Sequence, residues 1–142
     1  MGEMIILDTK VLSELMLRRP NPQVKAWADA QSRRQLVTTV ISVMELHTGL
    51  LVIPAGKRRT ELTRMIANAF DELLGGRILH FDYRAAIATA ELHVSRRKAG
   101  GSGDLRDTQI AGIALSRRIP IATRNVMHFG DIDVKVINPW QG

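Results

Sequence analysis

The chain has 142 residues, 45% hydrophobic and 24% charged, which suits one domain around one core and excludes a disordered or low-complexity protein. It has no cysteine, which removes disulfides, thiolate zinc sites and cysteine nucleophiles together. Twenty Lys and Arg against 14 Asp and Glu give a formal net charge of +6; that favours a polyanionic partner, while only one Tyr, two Trp and three Phe argue against a base-stacking platform.

No apolar run is long enough to span a bilayer. The start, Met1-Gly2-Glu3-Met4-Ile5-Ile6-Leu7-Asp8, lacks the basic flank and long apolar stretch of a signal peptide. A soluble cytoplasmic protein without membrane contact is expected. Met4 to Leu7 reads as a short buried strand ending in Asp8, followed by a helix from Val11 to Leu17. Asn21-Pro22 reads as a cap with proline at the first helical position, and Val24, Trp27 and Ala28 give that helix an apolar face. Leu36 to Val40 is a second strand. Ser42 starts a helix running from Val43 to about Leu51, which stops before Pro54 and Gly56.

Lys57 to Leu74 is the clearest amphipathic helix, with Leu62, Met65, Ile66, Ala69, Phe70 and Leu73 on one face. Gly75-Gly76 ends it. Arg77 to Phe81 is a third strand, and Asp82 caps a helix from Tyr83 to Ala99. Gly100-Gly101-Ser102-Gly103 is a loop without the Lys-Ser/Thr of a phosphate loop. Leu105 to Ser116 is helical, with Ile110, Ile113 and Ala114 inward. Ile119 to Thr123 and Val134 to Ile137 are the fourth and fifth strands. This alternation predicts an α/β layer fold, a mostly parallel five-stranded sheet flanked by helices, as one domain over residues 1–142. In such sheets ligands bind at the carboxyl ends of the strands.

Three acids fall where that rule directs attention. Asp8 directly follows the first strand, Glu45 lies in the first turn after the second, and Asp107 lies near the start of the helix before the fourth. Each has a structural explanation: Asp8 as a helix cap, Glu45 as the partner of Ser42 in a capping box, Asp107 as a complement to the helix dipole. Together they predict a single pocket of carboxylates, whose mutual repulsion a cation relieves. Hard oxygen donors suit Mg²⁺ or Mn²⁺, and the matching chemistry is metal-assisted phosphodiester hydrolysis.

Six segments resemble, in order along the whole chain, the VapC/FitB branch of PIN-domain toxins. They are Ile5-Ile6-Leu7-Asp8-Thr9, Val40-Ile41-Ser42-Val43-Met44-Glu45-Leu46, Gly76-Arg77-Ile78-Leu79-His80-Phe81-Asp82, Asp107-Thr108-Gln109-Ile110-Ala111, Ala122-Thr123-Arg124-Asn125 and Ile137-Asn138-Pro139-Trp140. The resemblance implies a PIN-like fold and a Mg²⁺-dependent endoribonuclease (Mn²⁺ as a substitute) acting on RNA such as tRNA. It implies a homodimer and a cognate antitoxin whose tail blocks the site, with DNA met only through that antitoxin. It assigns metal binding to Asp8, Glu45 and Asp107, places Asn125 at a fourth position held by Asp or Asn, and gives Thr9 the task of supporting the first acid.

Two positions depart from the family pattern. Lys10 stands where Asn is usual, and His128 precedes Phe129 where relatives often carry Asp. Lys10 is expected to turn inward toward Asp8 and compete with the cation; turned outward, it would hold phosphate. These departures motivate a second function, a catalytically weak or dead PIN-like binding subunit within an antitoxin–DNA complex. A receiver-like signalling domain with Asp82 as acceptor is disfavoured, because Thr9-Lys10 rather than paired acids follow Asp8. Asp104 reads as a cap or solvated acid. His47, His80, His93 and His128 form no zinc pair at helical spacing and read as surface or core histidines. Arg58-Arg59 and Arg96-Arg97-Lys98 read as solvated helix surface, with polynucleotide backbone as the alternative. Leu12, Leu15, Met16 and Trp27 are more apolar surface than the early helices need for a small core, which favours a dimer.

Overall fold

The run Ile5-Ile6-Leu7 occupies the centre of the sheet because all three side chains are buried and successive residues feed opposite faces. The computed structural model describes residues 3–101 and 103–141; Met1 and Gly2 of the start, Ser102 of the glycine-rich loop and Gly142 lie outside them. Strand β1 (Ile5–Leu7) is flanked by β2 (Leu36–Thr39) and β4 (Ile121–Ala122), with β3 (Ile78–Leu79) and β5 (Val136–Ile137) at the edges. The order is β3-β2-β1-β4-β5, and every pairing is parallel. The register sets Ile6 beside Val37 on one side and Ile121 on the other.

Parallel strands require crossovers, and six α-helices among the described residues supply most of their length. On one face, Ile5, Leu7, Leu36 and Ala122 meet Val11 and Leu12 of α1 (Thr9–Met16), Ala28 of α2 (Pro22–Asp29) and Leu74. On the other, Ile6, Val37 and Ile121 meet Ile41 of α3 (Val40–Leu51), Ala85 and Leu92 of α5 (Tyr83–Lys98), and Ile110 and Ile113 of α6 (Leu105–Arg117). Each fully buried Leu or Ile contributes about 1.5–3 kcal/mol. Gly112 lets α5 and α6 pack closely: a Cβ there would stand 1.9 Å from Thr89 Oγ1 and 2.9 Å from Ala85 O.

Several boundaries differ from those expected. Val40 begins α3 rather than ending β2, because the Thr39 hydroxyl accepts the Ser42 N–H and caps the helix. The long amphipathic helix is α4 (Lys57–Asn68) followed by a π turn, Ala69–Leu73. Leu74 N–H bonds Ala69 O, and Gly75 and Gly76 take positive φ of 54° and 74° to end it. Arg33 Nη1 donates to Glu72 O at 2.6 Å and Arg77 Nη2 to Leu73 O at 3.3 Å, satisfying carbonyls that the helix end leaves open. Asp82 caps α5 through Ala85 N–H and pairs with Arg117, so its carboxylate is committed to structure. Leu12 is buried, and Leu15, Met16 and Trp27 pack on the second core cluster. Of the four, Leu12 is therefore spent on the core, while the other three keep part of their surface open, as does Leu17 at the end of α1, 50% exposed.

Candidate metal centre

The strand order reverses beside β1: the chain builds β2 and β3 to one side, then crosses to β4 and β5 on the other. The crevice between the carboxyl ends of β1 and β4 is the place where doubly wound sheets take ligands. Asp8 and Thr123 face each other across it. Asp8 N–H continues the ladder to Ala122 O at 3.1 Å, and its side chain then serves two ends. Oδ1 accepts Val11 N–H at 3.0 Å, the cap of α1, and Oδ2 accepts the Thr123 hydroxyl. The Thr123 oxygen also accepts Asn125 N–H at 3.0 Å.

Asp8 is only 7% exposed. Burial raises its pKa above the ordinary carboxylate value; the bonds from Thr123 and Val11 oppose the rise, and the negative charges of Asp107 and Glu45 add to it. The three acids therefore share one edge of the sheet closely enough for the two half-buried ones to act on the buried one.

Glu45 is not in a capping box. Ser42 lies inside α3, and Thr39 is the cap. Glu45 Oε1 instead accepts from Thr9 Oγ1 at 2.7 Å, and Thr9 Oγ1 lies 2.9 Å from Ser42 Oγ. Thr9 has one hydroxyl proton; giving it to the carboxylate leaves its lone pair for Ser42. Thr9 thus supports Glu45, whereas Asp8 has Thr123. Arg106 Nη1 stands 3.7 Å from Glu45 Oε2, and its guanidinium also pairs with Asp104 at 3.1 Å. Asp104 is the cap of α6, accepting Arg106 N–H at 2.9 Å.

Asp107 sits in the first turn of α6, and its Oδ2 lies 2.9 Å from His128 Nδ1. His128 belongs to a short 3₁₀ turn, Val126–Phe129, and is neither a core histidine nor an isolated surface one. Arg96 fastens this turn. It donates to Asp131 at 2.8 and 2.9 Å, to His128 O at 2.6 Å and to Thr108 Oγ1 at 3.0 Å. So Arg96, expected on solvated surface, is largely covered and ties α5 to α6 and to the His128 turn. A cleft of about 370 Å³ lies between Asp107, His128, Arg96 and Met127.

Lys10 is exposed, and the ion pairs of the described residues do not include it, which overturns the expected inward pairing with Asp8. Asn125 enters the site through its backbone; its side chain makes no capping hydrogen bond. Thr123 and Arg106 carried no expected role, while Ser42 and Arg96 act otherwise than expected, Ser42 beside Thr9 rather than in a capping box and Arg96 on the His128 turn rather than in solvent. Thr123 alone had a sequence signal, a hydroxyl directly after a strand that pairs with the strand bearing Asp8.

The donor set is all oxygen, as Mg²⁺ and Mn²⁺ prefer. Among the described residues no three Asp, Glu or His side chains close around a single point, since Glu45 leans to Thr9 and Arg106, and Asp107 to His128. The residues fit a hard cation that keeps part of its water shell.

A family model described as PIN domain matches residues 5–135. A VapC ribonuclease of Sinorhizobium fredii is 38% identical over 138 residues, 97% of this chain and 99% of that protein. Toxin FitB of Neisseria gonorrhoeae is 34% identical over 137 residues, 96% and 99% of the two chains. A solved structure of FitAB bound to a DNA fragment superposes with a TM-score of 0.87 at 32% identity, covering 98% of this chain and 97% of the other.

Proposed function

The chain belongs to the VapC/FitB branch of the PIN-domain family, and from that premise we propose that it is a toxin of a toxin–antitoxin pair, an endoribonuclease dependent on Mg²⁺ or Mn²⁺. The observation that carries the reading is Asp8: an acid buried at the switch point of the sheet, with two further acids near enough to disfavour its charge. A carboxylate so placed costs stability unless a cation compensates.

Asp8, Asp107 and Glu45 would hold that cation, water completing its shell. Bound there, it would supply the positive charge that activates water and offsets charge developing on the phosphate. The chain's own residues do the positioning. Val11 N–H and the Thr123 hydroxyl fix both oxygens of Asp8. Thr9 orients Glu45, His128 orients Asp107, and Asn125 steadies Thr123 through its N–H. Thr9 and Glu45 also border an apolar groove of about 350 Å³ lined by Leu46, Leu50, Leu62 and Met65, which suits the tail of an antitoxin. DNA is met through that antitoxin, as the likeness to a DNA-bound FitAB complex supports. A homodimer is part of the proposal, with exposed apolar side chains such as Leu51 and Val52 available for covering.

A second reading, a weakly active or inactive binding subunit, is favoured by one observation. Two of the three acids already face cationic or protonatable partners, Glu45 at Arg106 and Asp107 at His128. The test is cleavage of tRNA by the purified chain in Mg²⁺, Mn²⁺ or EDTA, beside Asp8→Asn. The ribonuclease reading expects metal-dependent cleavage that Asp8→Asn lowers by at least about a hundred- to a thousandfold. Equal cleavage by the variant sinks the role of Asp8. Absence of cleavage and of Mn²⁺ binding by calorimetry selects the second reading.

A further inference from the structure

Three cationic residues stand one or two positions from the acids or their supports. Lys10 follows Asp8 by two residues, Arg106 precedes Asp107, and Arg124 follows Thr123. Their environments differ. Lys10 is exposed on a flexible stem. Arg106 spends its guanidinium on Asp104 and Glu45. Arg124 is exposed, yet its guanidinium carbon lies 4.9 Å from the ring centroid of Trp140, a cation–π contact.

Both ends of that contact are fixed. Trp140 N–H donates to Asn138 Oδ1 at 2.9 Å, and the ring packs on the core cluster beside β1. At the other end, Thr123 N–H bonds Ile137 O at 2.8 Å, and its oxygen accepts Asn125 N–H while its hydroxyl holds Asp8. Arg124 is therefore one residue from the group that orients the buried acid, with its planar head held by an aromatic face. Stacking uses the face of a guanidinium and leaves its N–H edge free, the edge that meets phosphate with two parallel hydrogen bonds.

We propose that Arg124, held by Trp140, is a substrate-binding residue that takes a backbone phosphate of the RNA at the rim of the acidic site. This rests on the ribonuclease reading above. It assigns to Arg124 a fixed contact, where Lys10 offers only a mobile point charge. The rival is purely structural, with the contact merely fastening the tail to the turn after β4. A fastener affects melting alone, whereas a phosphate contact sets the salt dependence of RNA binding.

The experiment measures binding of end-labelled tRNA by fluorescence anisotropy, in EDTA so that the strand stays whole, over a series of KCl concentrations. Wild type is compared with Arg124→Ala, Arg124→Lys, Trp140→Leu and Trp140→Phe, each checked for folding by thermal melting. Arg124→Ala should lose roughly tenfold or more in affinity. Its slope of log K against log salt should fall by about 0.7–0.9, the loss of one phosphate. Arg124→Lys keeps the charge and the slope but binds less tightly than wild type. Trp140→Leu does the same, and Trp140→Phe, which keeps an aromatic face, restores binding. Folded Arg124→Ala with wild-type affinity and slope overturns the proposal. Wild-type affinity in folded Trp140→Leu overturns the part given to the ring. A wild-type chain that binds no tRNA at any salt in EDTA yet cleaves it in Mn²⁺ overturns this inference alone, and one that neither binds nor cleaves overturns the ribonuclease reading with it.

Discussion

The two sides of the acidic site are built by different means. Asp8 stands on the sheet, buried, with a backbone N–H on one oxygen and a buried hydroxyl on the other. Asp107 stands on a helix, half-buried, facing one histidine from a short turn that Arg96 fastens from a third element. The Asp8 side inherits its geometry from the ladder, so moving it means distorting β1 or β4. The Asp107 side depends on side-chain contacts at the surface, where exposed pairs contribute little and rearrange readily. The difference teaches that one acid is preorganised by the fold, while the other is free to adjust to a ligand.

The largest test of that contrast is Thr123→Val. Valine keeps the branched shape but leaves Asp8 Oδ2 and Asn125 N–H without their partner. Stranding buried polar groups costs about 1–3 kcal/mol. Urea unfolding should show that loss, and metal-dependent cleavage should fall with it. His128→Ala, on the adjustable side, should change stability by no more than about 0.5 kcal/mol. Equal losses in the two variants would erase the distinction.

Arg96→Met sharpens the same comparison from the other side. It keeps much of the stem and removes the donors to Asp131, His128 O and Thr108. A loss of about 1–2 kcal/mol is expected, because Arg96 is largely covered and its guanidinium serves acceptors on three residues at once. Asp131→Asn should cost less, about 0–1 kcal/mol, since that carboxylate is half exposed. If Arg96 positions Asp107 through the His128 turn, Arg96→Met should also weaken Mn²⁺ binding in calorimetry; unchanged affinity would mean that Asp107 adjusts to the cation without the fastener.

The two acids Asp8 and Asp131 should respond to pH with opposite sign. Burial, first of all, raises the Asp8 pKa above the ordinary 3.8. Its contribution to stability is thus fully present below about 3.8 and is lost as pH rises through the folded value. Asp131 is lowered from 3.8, chiefly by the hydrogen bond from Arg96. Its contribution is present above 3.8 and is lost as pH falls through the lower folded value. In urea titrations of the metal-free protein, Asp8→Asn should gain on wild type as pH climbs from acid toward neutral. Asp131→Asn should lose to wild type over the same climb, by the smaller amount of a surface pair. Parallel pH profiles for the two variants would contradict the assigned signs.

The sheet and its helices were legible because Ile5-Ile6-Leu7, Leu36 to Thr39 and the Asn21-Pro22 cap are local signals, and so was the placement of Asp8 at a strand end. What was hidden lies between segments far apart in sequence. Thr9 reaches Glu45 across 36 positions, Thr123 reaches Asp8 across 115, and Arg96 reaches His128 across 32. Periodicity carries no information about such pairs. The Ser42-Glu45 capping pattern misled for a related reason: the same spacing occurs inside a helix once Thr39, three residues earlier, takes the cap. Arg96-Arg97-Lys98 looked like an exposed basic run because covering of Arg96 depends on the turn after β4, which composition alone does not bring near.

The smallest expected effect belongs to Lys10, and it probes the sheet side of the comparison where that side meets solvent. A lysine two residues after a buried acid would weaken cation binding if its ammonium lay against Asp8. Its exposed position instead keeps the ammonium in water, where its charge is screened by solvent and salt. Lys10→Asn should therefore leave Mn²⁺ affinity within about twofold of wild type, an energy near that of thermal motion. The same change should lower the salt slope of tRNA binding by less than one full phosphate, because a mobile point charge occupies a phosphate only part of the time. Calorimetry with Mn²⁺ and anisotropy with tRNA give the two numbers on the same preparations. A severalfold gain in Mn²⁺ affinity would mean that Lys10 swings in to Asp8 in solution, and the buried acid would then be less completely fixed by the sheet than Val11 and Thr123 imply.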